Sequence, residues 1–239
     1  MNKGIVIIPT YNELGNIKNV IERVFKLETA FDILVVDDSS PDGTADLVRE
    51  MQSTYPERLH LMVRTTKNGL GTAYIAGFRK CLEMDCTHIF EMDADLSHNP
   101  EDLPRLFAAC TDGGADLSIG SRYVKGGDVR NWPFLRVLMS YSASIYVRTV
   151  LWMNITDTTA GFVCYRREVL EAIDLDRIEF VGYAFQIEMK YAALRRGFKL
   201  KEVPITFKDR QIGLSKMNMG IFKEAFFGVL KMRLRKQQP

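Results

Sequence analysis

Apolar residues run unbroken from Ile5 to Ile8 and stop at Pro9, and Phe31 to Val36, interrupted only by Asp32, repeats the pattern and stops at Asp37-Asp38. Short continuous runs without alternation are expected of strands covered on both faces, as in a parallel sheet. Further strands are predicted at Leu59–Val63, Thr87–Met92, Asp116–Gly120, Phe162–Tyr165 and Leu200–Phe207. Between them lie stretches with apolar positions at helical spacing: Ile17–Leu27, a helix capped by Asp42 or Thr44 that runs to about Tyr55, Thr72–Met84, Glu101–Cys110 and Gly182–Arg196. Asn12 or Asn16 is the expected cap of the first. Strand, polar turn and helix in alternation predict an α/β fold, an open and mostly parallel sheet flanked by helices.

Two later segments differ. Phe134–Met153 is mostly apolar but interrupted by Arg136, Ser140, Ser142, Ser144 and Arg148. Its composition favours a core helix. Its pattern of Leu135, Met139, Ile145 and Trp152 among cations also suits a helix lying at a membrane interface. Ile221–Arg235 is an amphipathic helix carrying Phe222, Ala225, Phe226, Val229 and Leu230, with Lys231, Arg233, Arg235 and Lys236 towards its end. No apolar stretch reaches the eighteen or so residues a spanning helix needs. The start of the chain is too short an apolar run for a signal sequence.

Composition changes this picture little. The 239 residues are 46% hydrophobic and 26% charged, enough for one large core. No repeat or linker divides them, so one domain is expected over residues 1–239. A net charge of +2 gives no ground for nucleic-acid binding. Cys81, Cys86, Cys110 and Cys164 lack metal-ligand spacing and are expected as reduced core thiols of a cytoplasmic protein.

In a doubly wound sheet, ligands bind beyond the carboxyl ends of the strands. The first, second and fourth strands end in Tyr11-Asn12-Glu13, Asp37-Asp38 and Asp93-Ala94-Asp95, which should therefore meet. Asp93 and Asp95 stand two apart where a strand gives out, so both can aim at one point. Converging carboxylates repel unless a cation sits between them, and hard oxygen ligands favour Mg2+ or Mn2+. An Asp-x-Asp alone reads better as a solvated acidic turn, and the rest of the chain is what favours the cation. His98 beside them reads better as a structural histidine than as a ligand.

In this order, the clusters Pro9-Thr10-Tyr11-Asn12-Glu13, Val36 through Thr44, Gly69-Leu70-Gly71, Met92 through His98, Gly120-Ser121-Arg122-Tyr123 and Asp209-Arg210 through Ser215-Lys216 resemble those of the inverting family 2 glycosyltransferases. Among these, the resemblance is strongest to the polyprenol-phosphate (dolichol-phosphate) mannosyltransferases. It implies a GT-A nucleotide-sugar-binding fold, a divalent cation, GDP-mannose as donor and a polyprenyl or dolichyl monophosphate as acceptor. By the same resemblance Pro9, Tyr11, Glu13, Val36 and Asp38 hold the nucleoside. Asp93, Ala94 and Asp95 hold the diphosphate and metal. Arg122, Arg210 and Lys216 surround the phosphates, Asp95, Arg210 and Lys216 bear on catalysis, and Arg122, Arg136 and Ser140 receive the acceptor phosphate. The donor half is expected at about residues 1–120, and the acceptor and membrane half at about 121–239. Some members carry transmembrane helices after the catalytic domain. With none predicted here, attachment to the cytoplasmic face of a membrane is expected through amphipathic helices or a small membrane subunit. UDP-glucose as donor, or a glycan hydroxyl as acceptor, is the alternative.

Overall fold

The computed structural model describes residues 2–209 and 219–235. The chain runs β1 (Gly4–Thr10), α1 (Leu14–Phe25), β2 (Phe31–Asp37), α2 (Thr44–Gln52), β3 (Leu59–Val63), α3 (Leu70–Leu82), β4 (His88–Glu91), α4 (Leu103–Thr111) and β5 (Leu117–Ser121). It continues through β6 (Asp128–Arg130), α5 (Phe134–Leu151), β7 (Val163–Arg166), α6 (Arg167–Ala172), α7 (Tyr183–Arg195), β8 (Leu200–Pro204), β9 (Thr206–Lys208) and α8 (Met219–Leu234). Seven strands form one sheet in the order β3-β2-β1-β4-β7-β5-β8. All neighbouring pairs are parallel except those of β7, which runs antiparallel between β4 and β5.

Both faces of the sheet are covered, which explains the largely apolar runs. Ile5, Ile7 and Leu34 face a core shared with Tyr74, Phe78 and Phe185 from α3 and α7. Val6, Ile8 and Ile33 face the opposite core, with Ile17, Val20 and Val48 from α1 and α2. The four cysteines are free and buried, as expected of core thiols. β7, from the later half of the sequence, lies between β4 and β5 of the earlier half, and β8 pairs with β5, so strands of the expected donor and acceptor halves share a single sheet.

Several boundaries differ from expectation. α1 starts at Leu14, with Glu13 rather than Asn12 or Asn16 at its N-cap. α2 is preceded by Gly43 at φ 89°, a left-handed turn that suits glycine, and Asp42 instead accepts the Thr44 amide at 3.0 Å. The single strand expected over Leu200–Phe207 is two. Pro204 has no N–H to continue a ladder, and beyond Ile205 the chain leaves the main sheet to pair Thr206–Lys208 with Asp128–Arg130. The segment Phe134–Leu151 is not a core helix. Only Ser144, Val147 and Leu151 are buried on it, while Phe134 is 81% exposed and Leu135 66% exposed.

α3 lies close against the segment leading into α7. The Gly71 amide donates to the Val181 carbonyl at 2.8 Å, and a Cβ on Gly71 would stand 2.8 Å from the Phe185 ring and 2.9 Å from the Phe180 carbonyl. Since a backbone oxygen cannot step aside, Gly71→Ala is expected to lower stability by about 1–3 kcal/mol through overpacking. Urea unfolding of the two proteins measures it.

Candidate active site at the carboxyl rim of the sheet

The parallel pairing of β2, β1 and β4 brings their carboxyl ends side by side. The Asp38 amide donates to the Thr10 carbonyl at 3.0 Å, and the Met92 amide to the Ile7 carbonyl at 3.2 Å, so the three tips remain joined beyond the regular ladder. Just past each tip one residue takes a left-handed backbone: Asn12 (φ 60°), Ser39 (φ 53°) and Leu96 (φ 62°). For Leu96, which has no short polar side chain to favour it, this costs on the order of 1–3 kcal/mol. Such turns cluster at ligand sites, and here each folds a polar loop back over the rim.

The first two loops brace one another. Thr10 Oγ1 donates to Asp37 Oδ1 at 2.8 Å, Asn12 N to Ser40 Oγ at 3.0 Å, Glu13 N to Thr44 Oγ1 at 3.1 Å and Leu14 N to Asp42 Oδ2 at 3.1 Å. Glu13 Oε2 accepts from Asn16 Nδ2 at 2.9 Å. Tyr11 is half-buried, and Lys67 Nζ lies over its ring at 3.7 Å. Both carboxylate oxygens of Asp38 are engaged by Arg64, at 2.6 and 2.9 Å, and Arg64 reaches on to Thr72 Oγ1 at 3.0 Å. Val36 is packed in the core beside Ala73 and Tyr74, so its main chain is what it can offer the rim.

Asp93 is partly open to solvent and accepts from Tyr74 Oη at 3.3 Å. Ala94 is buried, and Asp95 is 7% exposed and accepts the Ser97 amide at 3.0 Å. His98 is buried, and burial pushes its imidazole down to about 4, so it is neutral near pH 7. Its Nδ1 accepts the Asp93 amide at 3.1 Å, and its ring stacks on Phe162. The imidazole thus shapes the acidic loop, as expected of a structural histidine.

Among the described residues no three His, Cys, Asp or Glu side chains gather to hold a metal ion by themselves. Two carboxylates on one short loop nevertheless suit a hard cation that takes its remaining ligands from water and substrate phosphates. Asp93 and Asp95 therefore fit a Mg2+ or Mn2+ site that a bound diphosphate completes.

The side expected to take the acceptor is built around Arg122, the residue after β5. Its Nε and Nη2 donate to Asp157 at 2.7 and 2.6 Å, its amide to the same carboxylate at 3.0 Å, and Nη2 also to Thr159 Oγ1 at 2.9 Å. Arg122 is 9% exposed and Asp157 fully buried. The Asp157 loop is anchored in turn by Glu202, which accepts the amides of Thr156 and Asp157 at 2.7 and 2.8 Å. Arg136, near the start of α5, lies over the Trp132 ring at 3.9 Å, and its Nη1 meets both oxygens of Asp209 at 3.2 and 3.1 Å. Ser140 follows one turn later on the same helix. Arg210 and Lys216 lie outside the described residues.

The family model for glycosyl transferase family 2 matches residues 5–174. The chain belongs to glycosyl transferase family 2. It is 50% identical, over 98% of its length and 88% of the relative's, to a polyprenol monophosphomannose synthase from Mycolicibacterium smegmatis. It is 48% identical to an undecaprenyl-phosphate mannosyltransferase from Micrococcus luteus, over 96% of this chain and 93% of that one. Its fold is similar to a mannosyltransferase from Pyrobaculum calidifontis solved with GDP-Man and Mn2+ (TM-score 0.62, 17% identity, 97% of this chain and 62% of that one). Family 2 membership and a GT-A-like fold are therefore established, as the motif order implied.

Sequence reasoning did not single out Arg64, Lys67, Tyr74 or Asp157 as parts of this family 2 site. Asp157 had one usable signal, the run Thr156-Asp157-Thr158-Thr159 ahead of a buried strand. Removing it would leave Arg122 buried without its counter-charge. Asp157→Ala is expected to cost about 3–5 kcal/mol, read by denaturant unfolding at constant pH.

Proposed function

We propose that this glycosyltransferase moves mannose from GDP-mannose to a polyprenyl monophosphate, with inversion at the anomeric carbon. The observation that carries this reading is the charge pattern of the acceptor side. Among the described residues, Asp157 is committed to Arg122, Asp209 to Arg136 and Glu202 to backbone amides. A hydroxyl acceptor needs a carboxylate base to take its proton. A phosphate monoester, whose second pKa is about 6, is already mostly dianionic near neutral pH and needs none. What such an acceptor requires is cations to overcome anion–anion repulsion, and Arg122 and Arg136 supply them. The identities of 50% and 48% to a polyprenol monophosphomannose synthase and an undecaprenyl-phosphate mannosyltransferase support mannose as the sugar and a polyprenyl phosphate as the acceptor.

On this reading Pro9, Tyr11, Glu13, Val36 and Asp38 hold the nucleoside. The Tyr11 ring offers a platform for the base, with Lys67 closing over it, and Glu13 accepts base N–H groups. A Mg2+ or Mn2+ bound at Asp93 and Asp95 would neutralise charge developing on the departing diphosphate. Arg122, Arg210 and Lys216 add cationic charge around the phosphates, and Ser140 donates to the acceptor phosphate.

The acceptor is lipid-borne, and α5 and α8 make a surface suited to it. Among the described residues no helix is long and apolar enough to cross a membrane. Phe134, Leu135, Leu138, Met139 and Ile145 of α5 are exposed, as are Phe226, Phe227, Leu230 and Leu234 of α8. Tyr146 stacks on Phe226 and joins the two helices, and 81%-exposed Trp152 carries the Arg233 guanidinium over its ring at 4.9 Å. Aromatic and basic residues beside an apolar face match the headgroup region of a bilayer. We place the protein at the cytoplasmic face of a membrane, held there peripherally.

Labelled GDP-mannose, Mg2+ and a short polyprenyl phosphate are expected to yield a lipid-soluble, acid-labile product. Faster turnover of UDP-glucose would reassign the donor. Arg136→Ala is expected to raise the acceptor KM about tenfold, the equivalent of about 1.4 kcal/mol, and to leave the donor KM near its original value. Unchanged acceptor kinetics would remove Arg136 from the acceptor site. Co-sedimentation with anionic liposomes is expected of the purified chain and reduced by Phe134→Ser with Leu135→Ser. Failure to sediment would instead assign membrane attachment to a small membrane subunit.

A further inference from the structure

Behind the rim lies a chain of buried polar groups that the reaction just described does not use. Lys190, on α7, has no exposed surface, and neither does Glu91, the last residue of β4; Gln186 between them is 4% exposed. Lys190 Nζ donates to the Ala160 carbonyl at 2.6 Å, the Gln186 carbonyl at 3.1 Å and Gln186 Oε1 at 3.4 Å, so three acceptors surround a group with three donors. Gln186 Nε2 donates to Glu91 Oε2, and Tyr165 Oη to Glu91 Oε1 at 2.8 Å. Burial holds the lysine below its ordinary range and the carboxyl of Glu91 above its own.

A buried ammonium is costly, and α7 also buries the apolar Ala184, Phe185, Ile187, Met189 and Ala193 beside Gln186 and Glu188. The charge therefore calls for a reason beyond filling the core. The reason lies in what it holds. Ala160 belongs to the loop whose Asp157 and Thr159 grip Arg122. Glu202 pins the start of that loop through two amides, and Lys190 pins its end through one carbonyl. At the far end of the network, Glu91 stands two residues before Asp93.

We propose that Lys190 is a positioning residue, which through Ala160 fixes the loop that aims Arg122 and through Gln186 and Glu91 ties that loop to the end of β4, where the loop proposed to hold the metal begins. This rests on the reading of Arg122 as a phosphate-facing cation. It requires of Lys190 both the length to reach the Ala160 carbonyl and a donor for it. A misplacement of about 1 Å in such a group costs up to about a hundredfold in rate.

The test separates positioning from general support by removing both buried charges. Lys190→Met alone leaves Glu91 without its nearby counter-charge and is expected to lower the melting temperature. Glu91→Gln together with Lys190→Met removes that imbalance, and the double variant is expected to melt close to the wild type. The double variant should nonetheless exchange the backbone amides of a peptide spanning residues 156–161 about tenfold faster. Its kcat/KM for polyprenyl phosphate should fall about tenfold or more. Wild-type exchange in that peptide, or a double variant with unchanged acceptor kinetics, overturns the proposal. So does a double variant whose acceptor constants worsen together with its melting temperature. A wild-type protein without transfer activity would defeat the lipid-phosphate reading alone, and the exchange measurement would still decide whether Lys190 holds the loop.

Discussion

The buried fork between Arg122 and Asp157 is the interaction on which the side of the site proposed for the acceptor depends. It joins the end of a parallel strand, β5, to the loop entering an antiparallel one, β7, and it does so inside the protein. Burying either charge alone would cost several kcal/mol, so each residue is held in place by the other. The geometry is well satisfied: three donors of Arg122 converge on one carboxylate, and a threonine hydroxyl takes a further guanidinium hydrogen. A guanidinium held this firmly presents a fixed direction of positive charge, which suits a group that must meet an anion without rearranging.

Elsewhere at the rim the ligand-facing groups are occupied by the protein's own side chains. Lys67 covers the Tyr11 ring, Arg64 holds Asp38, and Asp209 sits on Arg136. Each arrangement satisfies a group that would otherwise bring unpaired charge or an uncovered ring to the surface. Substrate entry on the proposed reading is then partly an exchange. A base shares or displaces the lysine on Tyr11, and a phosphate competes with a carboxylate for Arg136. Exchange between similar partners keeps the net cost of opening the site low while preserving discrimination by charge.

The apolar surface of α5 and α8 lies on the helix that carries Arg136 and Ser140. One element thereby carries both the cation proposed for the acceptor's phosphate and the greasy side chains proposed for its lipid environment. A polyprenyl phosphate needs both, since its headgroup is anionic and its tail never leaves the bilayer. A peripheral helix meets that need with reversible attachment.

Much of this was already legible along the chain. Largely apolar runs located β1 and β2, because strands covered on both faces need no alternation. The rule that parallel strands end at a common rim already brings Tyr11, Glu13, Asp38, Asp93 and Asp95 to one edge of the sheet. What the chain order could not disclose was the direction of β7. An antiparallel strand delivers the loop before it, not after it, to that rim, and so Asp157 and Thr159 arrive from the opposite side of a strand that reads like any other. Nor could composition decide the exposure of α5, since a mostly apolar helix satisfies a core and a bilayer equally well. The partners of Asp38 and Lys190 were equally hidden, because Arg64 and Ala160 are distant in sequence and only packing makes them neighbours. Local chemistry along the sequence determined which elements form and which ends carry charge. Tertiary structure alone decided which charges face one another, because that depends on strand direction and burial rather than on any property of neighbouring residues.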